Sequence, residues 1–249
     1  MTDVKKNWFS DGGAAYADFR PDYPAALAEW IASLAGHHDC AIDVGCGSGQ
    51  FTTGLAQHFR SVIGIDPSES QLAHAKPHAA ITYRLGRAEA LPVEAQSADV
   101  LTVAQAAHWL EIERFYEEAR RIVKPGGILA LLSYGRMEIE DPCNGRFQQF
   151  YAEEIGPYWP AERKLVDNGY RDLAFPFEEI HAPRLAIRQS WDLPALLGYI
   201  GTWSATKKAL DAGKSGLLET FGRDFSEIWG DPARSVAISW PIAIRATRM

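Results

Sequence analysis

The sequence predicts an α/β protein, with a mostly parallel sheet, helices on both faces and an antiparallel last strand. Three observations carry that reading. Short apolar or β-branched runs alternate with helix-like stretches through the first half of the chain. A glycine-rich turn joins the first such run to the first helix-like stretch, and near the end a long segment alternates apolar and polar side chains.

The predicted strands are Cys40 to Val44, Ser61 to Ile65, Ile81 to Leu85, Val100 to Ala104 and Ile128 to Ser133, each bounded by Gly, Pro or Asp turn signals. Helices are predicted between them at Phe51 to Phe59, Ser68 to Lys76 and Leu110 to Val123. The last of these is the best defined. Phe115, Ala119, Ile122 and Val123 make one apolar stripe, while Glu111, Glu113, Glu117 and Glu118 come early and Arg120, Arg121 and Lys124 late, which complements the helix dipole. The turn Lys124-Pro125-Gly126-Gly127 then stops the helix. Ahead of the sheet, Ala25 to Leu34 is amphipathic and follows Pro21-Asp22-Tyr23-Pro24, as a leading helix would. Tyr158 to Phe177 has no sustained period and reads as an insertion or lid. In the closing segment, Val236, Ile238, Trp240, Ile242 and Ile244 alternate with their neighbours, and Pro241 implies an edge or bulge; Phe177 to Ile187 is the expected antiparallel partner.

Composition excludes several function classes. The chain has 249 residues, 47% hydrophobic and 23% charged, which is ordinary for a globular protein with a sizeable core. Its formal net charge of -7 disfavours a nucleic-acid partner. No run reaches the roughly 18 apolar residues of a membrane span, and Met1 to Ser10 lacks a signal-peptide core, so no membrane association and a cytoplasmic location are expected. The three cysteines, Cys40, Cys46 and Cys143, form no CxxC pair and are expected as reduced thiols.

Asp43-Val44-Gly45-Cys46-Gly47-Ser48-Gly49 is the most informative segment. Glycines admit backbone torsions closed to other residues and let a ligand approach the main chain, and the helix that follows offers free N–H groups. The next predicted strand ends in Gly64-Ile65-Asp66, where a carboxylate can accept ribose hydroxyls. A dinucleotide loop places its third small residue where Gln50 stands, whereas here the third glycine is Gly49. That spacing suits S-adenosylmethionine, a cofactor with an amino-acid end and no phosphates.

With these motifs in order, the first half of the chain resembles the class I S-adenosylmethionine-dependent methyltransferases, and it is similar to the trans-aconitate methyltransferase-like group. The resemblance implies a Rossmann-like fold with a seven-stranded sheet in one domain over 1–249: a helical cover (1–36), a cofactor core (37–135) and a substrate side carrying the last strands (136–249). It implies S-adenosylmethionine as cofactor, with Asp43, Gly45, Gly47 and Gly49 at its methionine end and Asp66, followed by Pro67, at the ribose. Arg87-Ala88-Glu89-Ala90-Leu91-Pro92 resembles the adenine-reading segment, which assigns Ala88 and Glu89, with Glu89 in place of the usual Asp. Gln105 would line the cofactor after the fourth strand, and Tyr16 and Arg20, in the opening motif Ala15 to Pro24, would approach its carboxylate. Ala107-His108-Trp109 and Gly201-Thr202-Trp203-Ser204 carry the closer similarity, which implies O-methylation of small carboxylic acids.

Methyl transfer from a sulfonium is an in-line displacement, so alignment and exclusion of water come first. A carboxylate is already ionised at pH 7, whereas a phenol needs its proton removed. His108, just past the fourth strand, is therefore the candidate catalytic residue, as base or as donor to a substrate oxygen; the alternative is that it and Trp109 only pack the pocket. Three readings stay open: carboxylate O-methylation, hydroxyl O-methylation with His108 as base, and a non-catalytic protein that binds the cofactor. The Asn- or Asp-Pro-Pro-aromatic signature of base and amide methyltransferases is replaced by Gln105-Ala106-Ala107-His108, and no carboxylate cluster suggests a metal. Tyr23, Trp109, Tyr134 and Trp203 are candidate walls for a small-molecule acceptor, and Arg20, Arg136, Arg184 and Arg188 candidate clamps for its carboxylate. Cys46 reads as a small buried filler.

Overall fold

A computed structural model describes residues 21–249. Tyr16 and Arg20 lie outside the described residues. Helix α1 (Ala25–Leu34) follows an extended Pro24 and buries Leu27, Ala28, Ile31 and Ala32 as one stripe against α2 (Thr52–Leu55) and the sheet.

The sheet runs β3 (Ile81–Leu85), β2 (Ser61–Asp66), β1 (Cys40–Val44), β4 (Ala98–Ala104), β5 (Val123–Tyr134), all parallel, and then β8 (Val236–Arg248), antiparallel to β5. Strand β7 (Leu185–Trp191) pairs antiparallel with the outer side of β8. Both faces of β1 and β4 are buried, the mark of central strands covered by helices on each side. Ala41, Val62, Val100 and Ile128 join one apolar layer, and their alternating neighbours Ile42, Ile65, Leu101 and Leu129 join the other. Helix α4 (Ile112–Ile122) covers the second layer with Phe115, Tyr116, Ala119 and Ile122, side chains whose burial is worth about 1.5–3 kcal/mol each for the larger ones.

Several expectations need correction. The sheet has eight strands, not seven, because after β5 the chain touches β8 again through the two-residue β6 (Glu138–Ile139). Helices α2 and α3 (Glu69–Ala73) are shorter than their apolar spacing suggested, since tight i→i+3 bonds mix in at their ends, such as His58 N–H to Leu55 O after α2 and Ala75 N–H to Leu72 O after α3. Val123 begins β5 rather than ending α4. The partner of β8 starts at Leu185, with residues 178–184 irregular. Strand β8 is not an edge strand, yet Pro241 falls in the gap between the Tyr134↔Ile242 and Glu138↔Ser239 registers, where the β5 side of the ladder is interrupted and a missing N–H costs nothing.

Beyond β6, helices α5 (Cys143–Gln149), α6 (Arg163–Asp167), α7 (Leu193–Gly201), α8 (Ser204–Asp211) and α9 (Ser215–Trp229) follow, with Phe147, Phe150, Phe221, Phe225 and Trp229 buried among them. Strand order reverses between β1 and β4, so the crevice beyond their C-terminal ends is where this topology seats a ligand.

Candidate active site

The β1–α2 turn is held by its neighbours before any ligand enters. Gly45 N–H and Cys46 N–H both donate to Ile65 O, at 2.7 and 3.1 Å, which ties the turn to the end of β2. Gly45 has φ +67°, and a Cβ there would meet Ala106 Cβ at 2.5 Å, so only glycine fits between β1 and β4. Gly49, at φ +87°, lies under the Tyr83 hydroxyl, which itself donates to Lys76 O at 2.9 Å.

Asp43 is fully buried in register with Thr102 of β4, and it accepts from Thr102 Oγ1 and from Thr52 Oγ1 at 2.7 Å each. Burial pushes its pKa up to about 6 against the pull of those two hydroxyls. Its role in the structure is to brace the turn against α2 and β4. Asp66 turns its carboxylate inward, accepting Gly47 N–H and Ser68 N–H at 2.9 Å each, with its pKa raised by burial. Pro67 is exposed beside it. Cys46 is buried, and burial holds its thiol far above the ordinary range, so it is a filler and no nucleophile.

Sequence reasoning missed Gln71. Its side chain is 4% exposed, its Oε1 has no partner among the described residues, and that oxygen lies 3.7 Å from where a Gly47 Cβ would stand. An orphaned acceptor beside an inward carboxylate calls for a ligand that brings donors, such as ribose hydroxyls. The only sequence signal was its place on α3, a few residues past Asp66.

Two assigned residues have other partners. Glu89 accepts from Glu111 N–H at 3.1 Å, ahead of α4, and its ion pair with Arg87 is 3.5 Å long. The Gln105 side chain pairs with the Tyr134 main chain, donating to its O at 2.8 Å and accepting from its N–H at 3.0 Å. With φ +57° and its own N–H on Leu132 O, Gln105 lengthens the β4–β5 ladder, so a cofactor contact from it would use the main chain. Ala88 is buried nearby in the second apolar layer.

The acceptor candidates divide into linked groups. The Tyr23 ring lies 5.1 Å from Phe51, just past the glycine turn, and 5.7 Å from Tyr134. His108 and Trp109 form one turn after β4, 4.7 Å apart, and His108 Nδ1 is 3.0 Å from the Tyr170 hydroxyl. Burial first, then the charge of Arg163, lowers the His108 pKa to about 3. Tyr170 is fully buried at φ +62°, held by its N–H on Leu165 O and its O accepting from Arg245 at 2.8 Å. Burial raises its pKa, so the hydroxyl keeps its proton.

Trp203 belongs to a third group with Tyr151, Trp159 and Tyr199, at ring separations of 5.2 to 5.7 Å. The clamp arginines need revision. Arg184 and Arg188 are exposed on or just before β7, and Arg136 is exposed with its guanidinium 5.7 Å from the Tyr151 ring. The guanidinium within the aromatic group is Arg163, which had gone unnoticed in the aperiodic segment.

An α/β sheet whose glycine turn and β2 carboxylate meet at the switch point defines the class of enzymes that bind a nucleoside-bearing cofactor. Residues 42–131 match the family described as methyltransferase domain. A Dictyostelium discoideum protein named as a methyltransferase is 34% identical over 242 residues, which is 94% of this chain and 92% of that one. A solved structure from Anaeromyxobacter dehalogenans, described as a type II methyltransferase, superposes with TM-score 0.87 at 40% identity and covers 92% of this chain and 98% of its own. The ubiquinone biosynthesis O-methyltransferase of Coxiella burnetii is 34% identical over 147 residues, 55% of this chain and 60% of its own length. The chain belongs to the class I S-adenosylmethionine-dependent methyltransferases. Its described residues fit that cofactor: Asp66 and the orphaned Gln71 oxygen offer acceptors to ribose, and the Gly47 turn leaves the main chain open to close approach.

Proposed function

We propose that this chain binds S-adenosylmethionine along the β1–α2 turn and methylates an oxygen of a small carboxylic acid. The observation behind this reading is the state of His108. Tyr170 keeps its proton and lies 3.0 Å from Nδ1; in this reading the hydroxyl donates to Nδ1 and the ring's own proton sits on Nε2. A buried imidazole with a pKa of about 3 is a poor proton acceptor at pH 7. An acceptor that arrives ionised, as an acid of pKa about 4 does and a phenol of pKa about 10 does not, needs no base from His108. Oxygen as the acceptor atom is supported by the similarity to a protein named for O-methyl transfer.

The bound cofactor supplies an electrophilic methyl on a sulfonium. An ionised carboxylate oxygen would take that methyl as an ester with no proton to remove, the leaving group being the neutral thioether S-adenosylhomocysteine. The protein's part is placement. Asp43 braces the turn, Asp66 and Gln71 hold ribose, and Nε2–H of His108 orients one carboxylate oxygen so that the other faces the methyl group. Tyr23, Tyr134, Trp109 and Trp203 wall the acceptor and exclude water.

The test is the pH dependence of kcat/KM with an acid acceptor. At saturating cofactor a profile without an imidazole limb is expected from about pH 6 to 9, because His108 titrates far below that range. A limb that rises through about pH 6 to 7, levels off above it and is lost in His108→Ala would contradict the reading and restore His108 as a base.

A further inference from the structure

Arg163 opens the short helix α6 and is largely buried among aromatic rings. Its side chain is 17% exposed, and its Nε donates to Asp167 Oδ1 at 2.9 Å and to the Tyr151 hydroxyl at 2.8 Å. Its guanidinium lies 4.6 Å above the Trp159 ring and 5.6 Å from the Tyr151 ring. Among the described residues nothing hydrogen-bonds to Nη1 or Nη2, so the edge suited to a bidentate carboxylate is open while the Nε side is fixed. Trp159 adds a second orphan: its Nε1–H is buried with no partner among the described residues. Donors left over on two neighbouring side chains point to an acceptor-rich ligand.

Charge agrees. Arg136 also lies over the Tyr151 ring at 5.7 Å, so a second cation is close by, and Asp167, the ion-pair partner of Arg163, is 34% exposed and partly screened by water. Burial works to deprotonate Arg163, and Tyr151, Asp167 and Tyr199 overcome it, so the group stays charged. Helix α6, which Arg163 opens, packs against the Ala107–Trp109 turn, and the charge of Arg163 reaches His108 there.

We propose that the Nη edge of Arg163 is the anion anchor of the acceptor site, pairing end-on with a carboxylate of the substrate among Tyr151, Trp159 and Trp203. The inference rests on the reading of the acceptor as an acid and names the group that recognises it. Tyr151 and Asp167 are positioning residues, holding the guanidinium by Nε so that both Nη groups face outward.

The experiment is calorimetric titration of the whole chain with benzoate and with benzamide, its uncharged counterpart of the same shape. Saturating S-adenosylhomocysteine is present, so that the cofactor's own carboxylate site is filled. Benzoate should bind the parent chain and lose about tenfold or more in Arg163→Gln, with a smaller loss in Arg163→Lys, which keeps the charge and not the fork. Benzamide should be insensitive to both changes. Unchanged S-adenosylhomocysteine affinity reports that each variant is folded, and Arg163→Lys serves if Arg163→Gln is not. Equal benzoate affinity in parent and variants, or an equal loss for benzamide, overturns the anchor. Methylation of an acid with an unchanged KM in Arg163→Lys would sink the anchor and leave the acid reading standing. Arg163-dependent benzoate binding without methylation of any acid would do the reverse.

Discussion

Asp43 makes opposite demands on stability and on binding, and Asp43→Asn separates them. In the folded chain its pKa is about 6, against 3.8 when exposed. The folded state thus holds the proton more tightly, so this group's contribution is fully present below pH 3.8 and is lost as pH rises through about 6. A shift of about two units at ~1.36 kcal/mol each makes the ionised carboxylate cost about 3 kcal/mol at pH 7, even with both threonine hydroxyls donating to it. Asparagine has the same shape and no charge. It accepts from one hydroxyl and donates to the other, and it carries no such pH-dependent cost. Urea denaturation of the parent and Asp43→Asn at pH 4 and pH 7 should show the variant gaining about 2.5 kcal/mol on the parent between the two, since a little of the cost is already present at pH 4. Its affinity for the cationic cofactor should fall about tenfold at pH 7, because the turn that Asp43 braces loses its buried negative charge. A difference that stays flat between the two pH values, or that turns against the variant at pH 7, refutes the reasoning about burial.

The same structure makes three further predictions. Gly45→Ala should cost about 2–5 kcal/mol, since positive φ and a rigid 2.5 Å contact with Ala106 add together, whereas Gly126→Ala, at φ +79° with nothing within 4 Å, should cost only about 1 kcal/mol in thermal or urea melts; equal losses would show that the Ala106 contact relaxes. Tyr170→Phe removes the hydroxyl beside His108 Nδ1 and should lower kcat several-fold without adding a limb to the pH profile near pH 6 to 7, a new limb there showing instead that the imidazole had become a base. Lys124→Met removes the 2.6 Å partner of buried Asp99, whose carboxyl is held low, despite burial, by Lys124 and the N–H groups of Cys40 and Asp39. Because Lys124 is about a third exposed and both N–H bonds remain, the cost should be about 1–2 kcal/mol at pH 7 and should shrink as pH falls through the carboxylate range, which urea melts at pH 7 and pH 3 would read.

How much of this was legible in the sequence depended on how local each feature is. The five parallel strands could be read because each is a short apolar run with turn residues at both ends, and the glycine turn because its torsions demand glycine at Gly45, Gly47 and Gly49. The partners of Asp43 could not. Thr102 reaches it only through the β1–β4 register, and no local pattern encodes that register. Gln105 looked like a pocket residue, but its amide copies a main-chain pair with Tyr134, a contact that exists only once β4 and β5 lie side by side. Arg163 and Tyr170 escaped notice because α6 spans five residues and the chain around it has no period, so nothing marks which side chain faces inward. β6 was missed because two residues carry no alternation.

The central claim is that the acceptor arrives as an ionised carboxylate and leaves as an ester. The measurement that meets it most directly is transfer of labelled methyl from S-adenosylmethionine to matched small carboxylic acids and phenols, followed by mild base treatment of the products. The account predicts label on an acid and its release by base, as an ester requires. Base-stable label on a phenol, with the acids untouched, would contradict it.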